Sequence, residues 1–127
     1  MKKVTNYLQQ LYSGRIGRKY YFLGMLVAGL FFGGMAGMFM VGSHYRFNVF
    51  TGIINLIGAV LVFSLHARRW HDLGKNGWWA LIMIVPMVNF FVGIYLLFAK
   101  GNPEKNEFGE PMPANVSFLD AVLNLKK

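Results

Sequence analysis

The stretch HARRWHDLGKNGWW, residues 66–79, carries most of the polar chemistry in the middle of a very apolar chain. It holds two arginines, one lysine, two histidines, three tryptophans and Asp72. An uncharged apolar run lies on each side of it. Basic and tryptophan side chains are typical of the ends of membrane-spanning segments, so this stretch predicts a turn at a membrane edge between two such segments.

The composition of the whole chain indicates a membrane protein. Hydrophobic residues make up 55% of the 127 residues and charged residues only 14%, against roughly 25% in an ordinary soluble domain. The chain has no cysteine, which excludes disulfides and thiolate chemistry. The net charge of +8 is explained by lysines and arginines that gather near anionic lipid, so we expect no nucleic-acid partner.

Three apolar runs are long enough to cross about 30 Å of hydrocarbon as helices. They cover residues 20–42, 47–65 and 78–98. A helix in a soluble core would carry polar residues at every turn, and these runs do not. The sequence therefore predicts an all-α fold, an integral membrane bundle of three transmembrane helices within residues 1–98.

The N-terminal segment precedes the first run and has the spacing of a short amphipathic helix. Gly14 and Gly17 are expected to end it. We expect the helix to lie in the headgroup layer or to pack on the bundle. Its apolar face is formed by Val4, Leu8, Leu11 and Tyr12.

The C-terminal segment, residues 99–127, is rich in Gly, Pro, Asn and Glu and reads as a polar tail. A short helix is predicted over residues 117–126. Ser117 is its expected cap, because Asp120 follows three residues later as in a capping box.

The distribution of Lys and Arg predicts how the chain is oriented. With three spans, eight of these residues fall on the side of the N-terminus and the 66–79 turn, and five on the other side. This count predicts a cytoplasmic N-terminus and an outside C-terminus.

Small and polar residues within the runs predict how the helices pack. Gly29, Gly33 and Gly37 form a G-x-x-x-G-x-x-x-G face, which favours close approach of another helix in lipid. The partner is either the second span or another copy of the chain. Asn55 and Asn89, near Pro86, form either a polar pocket or hydrogen-bonding contacts between helices, and we favour the contacts.

Asp72 is the only acidic residue before Glu104, and it is predicted to hold arginines together. Arg68 and Arg69 lie four and three residues before it, spacings that allow an ion pair on a helix. Gly74 is the expected helix stop and Asn76 the expected cap of the next helix. Arginines of the GRIGRK segment, Arg15 and Arg18, are expected at the same depth.

A catalytic role for the turn finds little support in the sequence. No second carboxylate lies near Asp72, and no serine occurs in a nucleophile motif. His66 and His71 are five residues apart, which does not suit a metal pair on one helix face. We therefore predict a protein that is not an enzyme and has no metal or cofactor.

Two segments resemble the small bacterial inner-membrane proteins grouped as domain of unknown function number 805. GRIGRKYYF at 14–22 resembles its G-R-x-x-R segment, and ARRWHDLGKNGWW at 67–79 its R-R-x-H-D-x-G-x-S-G-W-W segment. The resemblance implies a bacterial inner membrane and no established activity. Departures are Asn76 for Ser, Trp70 for Leu, and Tyr20 and Tyr21 where an acidic residue often precedes the aromatic pair. The matching positions are Gly14, Arg15, Arg18, Arg68, Arg69, His71, Asp72, Gly74, Gly77, Trp78 and Trp79.

The predicted function is that of a non-catalytic scaffold or interaction subunit in the inner membrane. Its partners are the lipid bilayer, anionic lipid headgroups, and a second copy or another membrane protein. The alternative is a transport or channel subunit that uses Asn55 and Asn89. The predicted structural or headgroup-binding cluster consists of Arg15, Arg18, Arg68, Arg69, His71, Asp72, Trp78 and Trp79.

Overall fold

The computed structural model describes residues 2–35, 37 and 49–125. In these ranges the chain forms helices and no β-strand, which confirms the all-α class. A 3₁₀ helix, Gly77–Ile84, precedes the fourth α-helix, and a π-helical turn, Gly29–Gly33, extends the second. The α-helices are α1 Lys2–Tyr12, α2 Arg18–Ala28, α3 Val49–Asp72, α4 Pro86–Phe98 and α5 Phe118–Leu123.

The break between α1 and α2 occurs where the two glycines predict it. Gly14 has φ +75°, a conformation that other residues rarely adopt, and Gly17 caps the start of α2. The intervening Ile16 is fully buried, and its amide donates to the carbonyl oxygen of Arg68 at 3.3 Å. The GRIGRK segment is therefore attached to the C-terminal end of α3.

The second predicted span is confirmed as helix from residue 49, and α3 continues seven residues beyond the predicted end. Among the described residues, one helix, Thr51–Asp72, is long and apolar enough to cross a membrane by length and composition. Only 33% of its apolar window is buried within the chain. Gly74, with φ +70°, ends the turn after α3 as predicted.

The third predicted span is not one kinked helix but two short arms. Asn76 caps the 3₁₀ arm as predicted, with its side-chain oxygen accepting from the amide of Trp78 at 3.1 Å. The 3₁₀ arm is about 16 Å long at roughly 2.0 Å per residue, and α4 is about 20 Å long. Val85 is extended between them, because Pro86 starts a new helix instead of continuing the old one.

Both ends of this hairpin lie at the same end of α3. At its start, Gly77 is so close to His71 that a Cβ would lie 2.8 Å from the ring Nε2. Just after its end, the amide of Asn102 donates to the carbonyl oxygen of Asp72 at 2.8 Å. Trp70 packs between the arms, with ring centroids 5.9 Å from Trp79 and 6.0 Å from Tyr95. The chain therefore leaves α3 and returns to it.

The tail continues at this same end and is tied to the N-terminal segment. The Tyr20 hydroxyl donates to the carbonyl oxygen of Val116 at 2.6 Å, and the Gln10 amide to that of Asn124 at 2.8 Å. These bonds hold the tail beside residues 10–20. Ser117 occupies the cap position of α5, but its side chain makes no capping bond.

Helices α2 and α3 approach each other at glycines other than the predicted ones. A Cβ at Gly24 would lie 3.1 Å from Leu65, and one at Gly58 would lie 2.7 Å from the Phe32 ring. A Cβ at Gly29, Gly33 or Gly37 would meet nothing within 4 Å. Within the described residues, no close approach of another helix occurs at these three glycines, so their packing stays a prediction. The part of the first predicted span after residue 37 lies outside the described residues.

Candidate functional site

The carboxylate of Asp72, the last residue of α3, lies between two arginines from different segments. Arg15, in the loop before α2, donates to Oδ1 from Nε at 3.0 Å and from Nη2 at 2.9 Å. Arg69, one turn earlier on α3, donates from Nη1 to Oδ2. Arg69 is 0% exposed, Arg15 4% and Asp72 6%. This buried trio, Arg15, Arg69 and Asp72, is called the clamp below.

Arg15 also binds the tail. Its Nη1 donates to the carbonyl oxygen of Glu104 at 2.7 Å and to that of Gly109 at 3.3 Å. Its Nη2 donates to the carbonyl oxygen of Asn102. An arginine has five N–H donors in a planar fork, so one side chain can bind the carboxylate and the tail together.

Arg69 binds the end of α4. Its Nε donates to the carbonyl oxygen of Leu96 at 2.8 Å, and its Nη2 to that of Ala99. The last carbonyls of a helix have no partner within the helix and carry the negative end of its dipole. The guanidinium satisfies them and fixes the returning arm of the hairpin on α3.

Arg68 performs the same task for α5. It is 0% exposed, and its Nη1 donates to the carbonyl oxygens of Ala121 at 2.8 Å and Val122 at 3.2 Å. Both carbonyls belong to the last turn of α5. The adjacent arginines of α3 therefore cap the C-terminal ends of two different helices.

The polar end, residues 10–20, 66–76 and 99–125, thus buries three guanidinium groups and one carboxylate. A buried cation without compensation would cost several kcal/mol, on the order of the penalty for an unpaired ion. Here, eight backbone carbonyl oxygens, from Ile16, Leu96, Ala99, Asn102, Glu104, Gly109, Ala121 and Val122, accept from the three arginines. The carbonyl dipoles therefore supply much of the compensation that one carboxylate does not, although Nε and Nη2 of Arg68 make no hydrogen bond among the described residues.

His71 joins three segments beside the clamp. Its Nδ1 donates to the carbonyl oxygen of Gly14 at 3.0 Å, since a carbonyl only accepts. Its ring stacks on Phe108 with centroids 4.0 Å apart and planes 6° apart. Its own carbonyl oxygen accepts from the Asn106 side chain at 2.8 Å. The histidine thus connects the GRIGRK segment, α3 and the tail.

The structure does not gather all the predicted cluster residues. Arg15, Arg69 and Asp72 meet, and His71 adjoins them. Arg68 is buried but binds α5 instead of Asp72. Three cluster members lie on the surface: Arg18, Trp78 and Trp79.

The groups that would form a catalytic site are also separated. His66 and His71 line different cavities, and Asp72 lines neither of them. Asn89 lines the His66 cavity, and Asn55 lines neither cavity. Among the described residues, no group of three or more His, Asp or Glu side chains is placed to hold a metal ion.

Sequence reasoning missed the tail residues that complete the site. Gly101 packs directly on the Asp72 carboxylate, which a Cβ at this position would overlap. A Cβ at Gly74 would lie 2.7 Å from the Asn102 side chain. The GNP turn at residues 101–103 was a signal for a bend, but nothing in it indicated what the bend packs against.

Comparison with known proteins identifies a family whose matched region includes the clamp. The family model described as "Protein of unknown function (DUF805)" matches residues 10–110, which include Arg15, Arg69, Asp72 and Gly101. The chain belongs to this family.

The curated relatives of this DUF805 chain include two proteins of Escherichia coli K12. Inner membrane protein YhaH is 29% identical over 113 residues, which cover 86% of this chain and 91% of YhaH. Inner membrane protein YhaI is 26% identical over 98 residues, which cover 77% of this chain and 82% of YhaI. No solved structure matches the chain. The named location of both relatives supports an inner-membrane location here.

Proposed function

We propose that the chain is an inner-membrane protein with two spanning helices and a re-entrant hairpin. The spans are residues 18–35, which comprise α2 and the helical turns that follow it, and α3, and the hairpin is formed by the 3₁₀ helix and α4. Neither hairpin arm reaches about 30 Å, the thickness of the hydrocarbon core. The return of the chain to Asp72 supports a hairpin that enters and leaves by one face.

The charge distribution supports a cytoplasmic polar end. Ten of the thirteen Lys and Arg residues belong to α1 and the polar end, two to α1 and eight to the polar end. The connection between α2 and α3 carries one, Arg46. Basic residues accumulate on the cytoplasmic side of short loops. The proposed topology therefore places both termini in the cytoplasm. It divides the Lys and Arg residues between the two sides of the membrane much more unevenly than eight to five.

Single cysteines test this topology directly, because the chain has none of its own. In intact cells, a membrane-impermeant maleimide should label Ser43→Cys, in the connection after α2, and should not label Lys105→Cys in the tail. Lys105 is exposed, so permeabilised cells should label it and provide the control. Labelling of Lys105→Cys in intact cells would show that the C-terminus lies outside.

The proposed role is that of a non-catalytic scaffold with a rigid cytoplasmic surface at headgroup level. The observation that carries it is the shielded clamp: both oxygens of Asp72 are bound by arginines, and the group holds segments together instead of facing a cleft. Exposed basic residues of α1 and of the polar end are proposed to meet anionic lipid. They are Lys2, Lys3, Arg18, Lys19, Lys75 and Lys100.

Lipid retention tests the headgroup contact. Purified protein in nanodiscs of mixed phosphatidylglycerol and phosphatidylcholine should retain phosphatidylglycerol in preference. Each exposed charge near an anionic surface is worth about 1 kcal/mol, so Arg18→Gln with Lys19→Gln should weaken the preference several-fold per charge removed. Lys105→Gln is the matched control, because Lys105 is already 3.7 Å from Glu110. An unchanged preference in the double variant would exclude the headgroup role.

A further inference from the structure

A second feature lies away from the clamp, in a cavity of about 400 Å³ between α2, α3 and the hairpin. Its walls are largely apolar and include Tyr21, Met25 and Phe90. Phe22 and Phe90, which also line it, are largely exposed. In the proposed topology these exposed rings face lipid, so the cavity opens towards the bilayer and admits a molecule dissolved in it.

One of the lining residues, His66, carries a buried polar atom that has no partner among the described residues. His66 is 3% exposed, and its Nδ1 donates to the carbonyl oxygen of Val62 at 2.8 Å. This bond places the proton of the neutral ring on Nδ1 and leaves Nε2 as an acceptor. Nε2 is buried and makes no hydrogen bond among the described residues. An unsatisfied buried polar atom is uncommon and calls for a ligand or another partner.

The chemistry of the wall defines the occupant. An acceptor nitrogen binds a hydroxyl donor and does not bind a phosphate ester, whose oxygens only accept. The cavity volume lies within the range of about 300–1,000 Å³ for small-molecule pockets. Flat aromatic walls suit a flat ring: Tyr21 already meets the His66 ring edge to face, with centroids 5.5 Å apart.

We propose that this cavity binds the ring of an isoprenoid quinol, with one hydroxyl donating to Nε2 of His66 and the tail leaving between Phe22 and Phe90 into the bilayer. The amide of Asn89 offers a further polar contact in the wall. The proposal concerns binding and involves no redox step. It goes beyond the scaffold role and uses none of the clamp residues.

The quinol and its oxidised form provide a test in the wild-type protein. Decylubiquinol carries hydroxyl donors, whereas decylubiquinone has only acceptors. Purified wild-type protein should bind decylubiquinol about tenfold more tightly, the value of one hydrogen bond to a buried group. Binding should also move the ¹⁵N resonance of His66 Nε2, which is readily resolved because the chain has only three histidines.

Two variants complete the experiment. His66→Phe removes the acceptor and should abolish the difference between the two probes. Gly93 lines the same cavity, and a Cβ there meets nothing within 4 Å. Gly93→Leu therefore adds its side chain to open space, should fold, and should block both probes. Phe63→Leu, in the cavity of Tyr12 and His71, is the matched control and should change neither affinity.

Three results would overturn the proposal. The first is equal affinity of the wild-type protein for quinol and quinone. The second is a His66 resonance that does not respond to decylubiquinol. The third is binding of dioctanoylglycerol, a hydroxyl lipid without a ring, as tightly as decylubiquinol. The measurements on the wild-type protein test the binding proposal even if His66→Phe does not fold.

Discussion

The polar end and the apolar half of the molecule are held together in different ways. At the polar end, two of the three buried arginines bind the Asp72 carboxylate, and all three bind carbonyl oxygens, which come from four segments. In the apolar half, residues 22–35, 49–63 and 78–95, close approach of α2 and α3 occurs at Gly58 and Phe32, and many large side chains are exposed. Examples are Leu30, Leu56, Ile84 and Met87.

The difference reflects the two solvents that the chain meets. In lipid, helices gain nothing from hiding apolar side chains, so packing and hydrogen bonds must join them. At the polar end, directional bonds from guanidinium groups can specify one arrangement of five segments. We therefore expect the polar end to fix the fold and the apolar half to tolerate change.

The largest expected effect is that of Asp72→Asn. The substitution keeps the shape but leaves Arg15 and Arg69 buried without their anion. Breaking a buried pair typically costs about 3–5 kcal/mol. We expect a loss of this size in the free energy of unfolding, measured by denaturant titration in detergent, with protease cutting in the tail at lower denaturant concentrations.

The control for Asp72→Asn is Glu110→Gln, which removes the exposed partner of Lys105. Exposed ion pairs contribute little, so this variant should unfold like the wild type. If Asp72→Asn also unfolded like the wild type, the clamp would not be what stabilises the polar end.

Gly101→Ala is expected to have the next largest effect. The added Cβ would overlap the Asp72 carboxylate, so the tail has to move away from the clamp. Overpacking of this kind costs about 1–3 kcal/mol, and we expect the upper part of that range. Gly17→Ala is the matched control, because a Cβ there meets nothing within 4 Å. Equal melting temperatures for the two variants would show that Gly101 does not pack tightly on the Asp72 carboxylate.

The smallest effects are expected in the apolar half. Gly58→Ala presses on the Phe32 ring, which is only partly buried and can shift outwards, so we expect about 1 kcal/mol, the lower part of the overpacking range. Gly33→Leu enters open space, and a substitution without contacts usually changes stability by no more than about 0.5 kcal/mol. A large loss for Gly33→Leu would reveal a second copy packed on the face of Gly29, Gly33 and Gly37.

Local signals in the sequence predicted the local structure well. Gly14, Gly74 and Asn76 lie at the breaks and the cap that their residue types favour. The pairing of Asp72 with Arg15 and Arg69 was also predictable, because an isolated acid among many basic residues has few other partners. Ser117 shows the limit of such signals, since its position is right and its capping bond is absent.

The hairpin and most arginine partners could not be predicted, for two physical reasons. An uncharged run of twenty-one residues has the same composition whether it crosses the bilayer or turns back within it. Backbone carbonyls are present at every residue, so no residue type at 96, 99 or 121 reveals that an arginine will bind there. The orientation predicted from the Lys and Arg count depended on the same assumption about the number of spans.

The capping of α4 and α5 by Arg69 and Arg68 has a consequence for biosynthesis. These arginines are synthesised before the carbonyls that satisfy them at residues 96–122, which are made up to 54 residues later. Until then, the two arginines lack some of their final partners. The last quarter of the chain is therefore needed to satisfy them. A nascent or truncated product that ends near residue 98 would lack both carbonyl partners of Arg68 and the Ala99 carbonyl that Arg69 binds, a feature by which quality control could distinguish it from the complete protein.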